Sequence, residues 1–277
     1  MTEQYIELKV GSGRVCARRV GSAKSPLVVF LHGLSAHMHA FDHFAEKLAA
    51  PDRQLAAFDL RGRGRSEITP PGTYGLDAHC RDVLEAATLL NAECFDVVGW
   101  SMGAQIAIGL AHRAPKRVRR IVLVNHAGIV ELGARAKAEK GLARLDMVVK
   151  NSATYVAAFR AASGISPWSA FWDRYFQYEL GAQGHALKAT TSKLACLEDL
   201  ADFQRYDDWP ALWKGLTMLV LLVRCLLPTG GGVMVPEAVR NRLRRAVPQL
   251  RVVEVACDHY TVMNSECASS AICQFLC

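Results

Sequence analysis

The sequence predicts an α/β fold: a mostly parallel sheet of eight strands with helices on both faces and a helical insertion after the sixth strand. Three observations lead there. Apolar runs of strand length alternate with longer segments of helical period along the chain. Strands separated by helices need crossover connections, and right-handed crossovers build a parallel sheet. The alternation stops between about Gly128 and Asp208 and then resumes, so that stretch is inserted between two strands of one sheet.

Taken in order, Tyr5–Val10 and Arg14–Val20 read as an opening hairpin, and Leu27–Leu31 as a buried strand that ends at His32-Gly33. Phe41–Ala49 has helical period. Gln54–Phe58 is a strand closed by Asp59–Ser66, a loop too rich in glycine and arginine to continue either period. A helix follows over Leu76–Leu90, then a strand over Phe95–Val98 and a helix over Met102–His112. Ile121–Val124 is the sixth strand. The next stretch, 128–208, reads as helices rich in alanine and aromatic residues, a cap on a core made of 1–127 and 209–277. Leu219–Arg224 and Arg251–Val255 complete the sheet, separated by a helix from Pro236 to Ala246, and Cys267–Leu276 is the closing helix.

Composition narrows the function classes. A chain of 277 residues with 51% apolar and 21% charged residues can bury a sizeable core, which excludes a mostly disordered chain and a bundle of membrane spans. No apolar run approaches the roughly 20 residues needed to span a bilayer, and the first residues lack the basic stretch and apolar core of a signal peptide. A cytoplasmic enzyme without a membrane partner is expected. The nine cysteines are odd in number and contain no CxxC pair, so reduced thiols are expected rather than a disulfide framework. The net charge of +7 is scattered over short basic faces such as Arg117/Arg119/Arg120 and Arg240/Arg242/Arg244/Arg245, which read as solvated surface and not as a nucleic-acid site.

Between the fifth strand and its helix stands Gly99-Trp100-Ser101-Met102-Gly103, the G-x-S-x-G pattern of a nucleophile elbow. The turn needs a strained central residue, and the flanking glycines let strand and helix approach. Serine in this context is the candidate nucleophile. With His32-Gly33, Asp59–Ser66 and His259 in their places along the chain, the sequence resembles the α/β-hydrolase superfamily over essentially its whole length, in its serine hydrolase branch. The resemblance implies that His259, after the last strand, is the general base, and that the backbone N–H groups of Leu34 and Met102 form the oxyanion hole. His32 reads as a structural histidine bonding neighbouring loops. His37, His39, His43 and His126 could touch substrate or be ordinary loop and helix-face residues. No histidine pair has zinc-ligand spacing backed by a carboxylate, so no metal and no cofactor is expected.

The third member of the triad departs from the usual pattern. Most of the superfamily places an aspartate after the seventh strand, but Cys225–Val235 contains no carboxylate. Enzymes similar to zearalenone lactonases and haloalkane dehalogenases place the acid after the sixth strand instead, and here that slot is Asn125. Its side-chain carbonyl could accept the Nδ1–H of the histidine and orient the ring, without supplying the charge that stabilises an imidazolium. Glu131, a few residues on, is the alternative acid. Asp258, Glu237 and Asp59 read as local structural carboxylates.

Tyr155, Phe159, Trp168, Phe171, Trp172, Tyr175, Phe176 and Tyr178 cluster in the insertion, where some pack the cap and some roof the pocket. Gly33, Trp100, Trp168, Trp172 and Tyr260 are the expected substrate contacts, with Met102 adding apolar wall. These features predict a small hydrophobic ester-like substrate and a monomeric or homodimeric protein. The leading function is hydrolysis of a hydrophobic carboxylic ester or lactone through an acyl-enzyme. The alternatives are carbon–carbon hydrolysis of a vinylogous diketone and a non-catalytic ligand receptor, or a form inactivated at Asn125.

Overall fold

The computed structural model describes residues 3–129, 140–206, 208–229 and 232–277. The chain opens with the hairpin β1 (Glu3–Val10) and β2 (Gly13–Gly21). Then come β3 (Leu27–Leu31), α1 (Asp42–Leu48), β4 (Gln54–Phe58), α2 (Leu76–Leu89), β5 (Phe95–Trp100), α3 (Met102–Arg113) and β6 (Val118–Val124). After β6 the chain leaves the sheet. The insertion carries β7 (Val148–Val149), α4 (Ser152–Ala162), α5 (Ala170–Tyr178), β8 (Leu180–Gln183), β9 (Ala186–Ala189) and α6 (Lys193–Gln204). The short helix α7 (Trp209–Trp213) leads back to β10 (Leu219–Cys225), α8 (Glu237–Ala246), β11 (Leu250–Val255) and α9 (Glu266–Leu276).

The main sheet has eight strands in the order β1-β2-β4-β3-β5-β6-β10-β11, parallel from β4 to β11 and antiparallel where β1 pairs with β2 and β2 pairs with β4. Every residue of β3, β4 and β5 is buried, as expected for parallel strands covered on both faces. Along β3 the period of two sends Leu27, Val29 and Leu31 into one core layer with Leu76, Val83 and Ile106 of α2 and α3. Val28 and Phe30 enter the opposite layer with Phe44 of α1 and Ile272 of α9. A one-residue slip would exchange these sets, so the two helical layers hold the register.

The insertion differs from the expectation of helices alone. Besides α4, α5 and α6 it forms a separate three-stranded antiparallel sheet in the order β7-β9-β8. Strands of two and four residues with half-exposed side chains leave too few positions for a period-two signal to stand out. Tyr155, Phe171, Trp172, Tyr175 and Phe176 of the insertion share one apolar layer with Trp100, Val124 and Val223 of the sheet. Two polar ties reinforce that contact. Nε2 of the buried His37 donates to the Tyr175 carbonyl at 3.0 Å, and the Tyr178 hydroxyl donates to Asp59 at 2.8 Å. Among the described residues no helix is long and apolar enough to cross a membrane.

Candidate active site

The candidate nucleophile sits where sequence and backbone physics agree. Ser101 lies between β5 and α3 with φ 56° and ψ −119°, a conformation that costs a non-glycine residue about 1–3 kcal/mol. The close approach that enforces it is visible at the flanking glycines. A Cβ on Gly103 would stand 1.8 Å from the carbonyl oxygen of Leu31, and one on Gly99 would stand 2.2 Å from that of Gly103. Ser101 donates its backbone N–H to Val124 at 3.2 Å, which ties the elbow to the end of β6.

Strand order then decides which other residues come near. β5, β6, β10 and β11 are consecutive in the sheet, so Ser101, Asn125, Cys225 and His259 lie at or beyond the carboxyl ends of four neighbouring strands. His259 is held on three sides. Its N–H donates to Thr229 Oγ1 at 3.2 Å, its carbonyl accepts from Trp100 Nε1 at 3.0 Å, and its Nδ1 lies 3.1 Å from Asn125 Nδ2. Asn125, at φ 50°, donates its backbone N–H to Val223 at 2.7 Å.

The Asn125 contact corrects the sequence expectation at the level of atoms. The side-chain carbonyl is turned away from the histidine, with Oδ1 accepting the backbone N–H of Cys225 at 3.0 Å. The amide nitrogen therefore faces Nδ1, and an amide nitrogen can only donate. Through this contact Nδ1 is an acceptor and the neutral ring carries its proton on Nε2, the nitrogen that would have to accept a serine proton.

Three other carboxylates weighed from sequence are engaged elsewhere. Asp258 accepts from the N–H groups of Tyr260 and Thr261 and caps the turn after it. Glu237 pairs with Arg240 on the surface. Asp59 accepts from the N–H groups of Met38 and Arg65, as its expected loop-tying role requires. Glu131 lies outside the described residues. His32 joins two loops, donating from Nδ1 to the Gly33 carbonyl at 2.7 Å and accepting the Leu60 N–H on Nε2 at 3.0 Å. Burial holds it neutral, with its pKa pushed down to about 3.

Ser101 and His259 line one cavity of about 570 Å³ between the sheet and the insertion. Gly33, Leu34, Trp100 and Tyr260 line it from the core, and Phe159, Trp172, Tyr175 and Phe176 from the insertion. Two expectations need correction. Trp168 is not among the lining residues: it stacks on Phe176 and donates Nε1 to Asp173 at 2.8 Å, so it packs the insertion itself. The Met102 side chain belongs to the core layer beneath the sheet and adds no wall, although its backbone opens α3, where a helix's first N–H groups lack intrahelical acceptors. His37, His39, His43 and His126 are also absent from the lining.

Lys140 and Arg144 both line the cavity. Lys140 is exposed, whereas the Arg144 guanidinium is spread over Glu179, the hydroxyl and carbonyl of Ser35 and the carbonyl of Gly141. Burial works against the Arg144 charge, and the buried Glu179 carboxylate more than offsets it, raising the pKa. Sequence reasoning missed Arg144, Ser35 and Thr229. Nothing in the local pattern marks them, because each acts on a residue far along the chain. Among the described residues no group of three or more His, Cys, Asp or Glu could hold a metal ion.

Comparison with known proteins places these features in context. A family model described as alpha/beta hydrolase fold matches residues 26–265. A relative from Agrobacterium fabrum that carries the name putative carbamate hydrolase RutD is 25% identical over 261 residues, covering 92% of this chain and 94% of its own. Among solved structures, E-2-(acetamidomethylene)succinate hydrolase superposes with a TM-score of 0.89 at 22% identity, covering 99% of both chains. The enol-lactonase of Burkholderia xenovorans LB400 superposes with a TM-score of 0.71 at 19% identity, covering 98% of this chain and 99% of its own.

Proposed function

The chain belongs to the α/β-hydrolase fold family, and from that premise we propose that it is a serine hydrolase of an uncharged, apolar carboxylic ester or lactone. The observation that carries the reading is Ser101, on a strained elbow, lining the same apolar cavity as His259. In this mechanism Ser101 Oγ attacks the carbonyl carbon while His259 Nε2 takes its proton. The N–H groups of Leu34 and Met102 receive the developing oxyanion. Collapse expels the alcohol, which takes the proton from His259, and leaves an acyl-enzyme. Water attacks that ester, again losing its proton to His259, and returns Ser101 with release of the acid. Neutralisation of Arg144 by Glu179, with Lys140 at the exposed side of the cavity, supports an uncharged substrate. The neighbouring enol-lactonase lends the lactone reading support by analogy alone.

Asn125 makes this a slow enzyme as the chain stands. Its amide holds the His259 proton on the wrong nitrogen, and the ring must change tautomer before it can act as a base. The same contact favours the second reading, a receptor that binds an ester-like ligand without turning it over.

Fluorophosphonate labelling separates the two. A hydrolase takes the label at Ser101, Ser101→Ala abolishes both label and turnover while leaving the fold intact, and a phenolic lactone is cleaved in preference to a dienoate diketone. A chain that binds the lactone but is never labelled at Ser101 is a receptor, and one that prefers the diketone is a carbon–carbon hydrolase.

A further inference from the structure

Two thiols lie beside the candidate site and take no part in the proposed hydrolysis. Cys225 ends β10, and Cys257 follows the end of the neighbouring strand β11. Both are free, and their sulfur atoms are 3.7 Å apart. The backbones around them are held at sheet spacing, with Leu226 N–H on the Val255 carbonyl at 3.0 Å and Leu227 N–H on the Cys257 carbonyl at 3.1 Å. A disulfide needs sulfur atoms about 2.05 Å apart on backbones at roughly this separation, so side-chain rotation with little main-chain movement closes the bond.

We propose that Cys225 and Cys257 are an oxidisable dithiol, a modification site at which a hydroperoxide converts the pair to a disulfide. Cys257 is the half-exposed member and reacts first, while Cys225 is buried behind it. The Cys225 thiol donates toward the Cys257 sulfur, which lowers the Cys257 pKa and favours its thiolate. The Cys257 thiolate attacks one peroxide oxygen, giving a sulfenic acid and hydroxide. The Cys225 thiol then displaces the sulfenic oxygen as water and forms the S–S bond. Two thiols lose two electrons and two protons, and hydrogen peroxide becomes two waters.

The bond would act on the site through both of its ends. Cys225 supplies the N–H that holds Asn125 Oδ1, and His259 is two residues beyond Cys257. Drawing the sulfur atoms together shifts the two segments that meet at the Asn125–His259 contact. Turnover is expected to fall about tenfold or more on oxidation, since small displacements of reacting groups carry large rate penalties. This consequence rests on the assignment of Ser101 and His259 above, whereas the disulfide itself does not.

The test treats the full chain with one equivalent of hydrogen peroxide and digests it, unreduced, with trypsin and Asp-N. Cleavage before Asp258 separates Cys257 from the three later cysteines. The expected product links residues 225–240 to residues 252–257 and disappears with dithiothreitol. Cys257→Ala should abolish both the link and the peroxide sensitivity and leave basal turnover unchanged. Oxidation confined to Cys267, Cys273 or Cys277, or stopping at a sulfinic acid on Cys257, overturns the proposal. A link that forms with no change in turnover or in fluorophosphonate labelling of Ser101 overturns the coupling. If Ser101 is never labelled in the reduced protein, the hydrolase reading fails while the peptide map still decides the dithiol.

Discussion

The backbone N–H of Cys225 occupies Oδ1 of Asn125, and the proton position on His259 follows from that single bond. An aspartate in the same place could accept from both groups at once, taking the Cys225 N–H on one oxygen and a His259 Nδ1–H on the other. Asn125→Asp is therefore expected to raise the hydrolytic rate by ~10²–10⁴-fold, the loss seen in serine proteases run in reverse. The added negative charge also favours the imidazolium, so the acid limb of the pH–rate profile should move to higher pH. Steady-state rates across pH for the two proteins provide the measurement. A neutral Asp variant, together with loss of activity in Glu131→Gln, would transfer the orienting role to Glu131.

Helices and strands reach one another through contacts that leave no spare room. Gly103→Ala would place a methyl group against the Leu31 carbonyl, an obstruction of rigid backbone at the junction of β3, β5 and α3. Its expected cost is at least about 1–3 kcal/mol, read as a lower urea midpoint, and a variant as stable as the parent would mean that α3 can withdraw from β3. Element α6 is joined to the core by charge. Its Asp199 pairs with Arg63 at 2.6 Å and with His79 at 2.9 Å, and all three side chains are fully buried. Burial alone would raise the Asp199 carboxyl, but His79, Arg63 and the Gly75 N–H hold it well below its usual range. Arg63 also donates Nε to the Leu34 carbonyl at 3.0 Å, so the clamp on α6 and the proposed oxyanion loop share one guanidinium. Asp199→Asn leaves that cation buried without its counter-charge, and equilibrium unfolding should register a loss of about 3–5 kcal/mol. A loss under 1 kcal/mol would show the pair to be dispensable.

Over the whole molecule, buried neutral histidines set a lower limit to the pH range of stability. Burial pushes His32 and His126 down to about 3, the nearby His259 adding to the shift at His126, and burial also drives His37 well below its ordinary value. In the unfolded chain each regains a pKa near 6.5, so the unfolded state binds more protons as pH falls below that point. Their depressed folded values mean that stability is complete above about pH 6.5 and is lost on acidification, by up to about 1.4 kcal/mol per pH unit for each histidine. Asp199 adds a further loss only below about pH 4, where the unfolded aspartate protonates and the folded one does not. Urea midpoints at pH 7.5, 6.5 and 5.5 should fall steeply over the last interval. A flat series would mean that these side chains are protonated in the folded protein.

Local rules made much of this molecule legible in its sequence. Strand and helix periods depend on neighbours within a few residues, and the elbow announces itself because only glycine tolerates the approach at Gly99 and Gly103. The order of elements then puts Ser101 and His259 at the carboxyl end of one sheet. Other features depend on which distant segments become neighbours. The orientation of the Asn125 amide is set by Cys225, one hundred residues along the chain, and Arg144 is neutralised by Glu179 and donates to Ser35, both far from it in sequence. Trp168 and Trp172 are chemically alike and four positions apart, yet only Trp172 faces the cavity. Periodicity and turn chemistry are short-range sterics and burial, whereas hydrogen-bond partners, charge compensation and cavity walls exist only once the crossovers have laid the strands side by side.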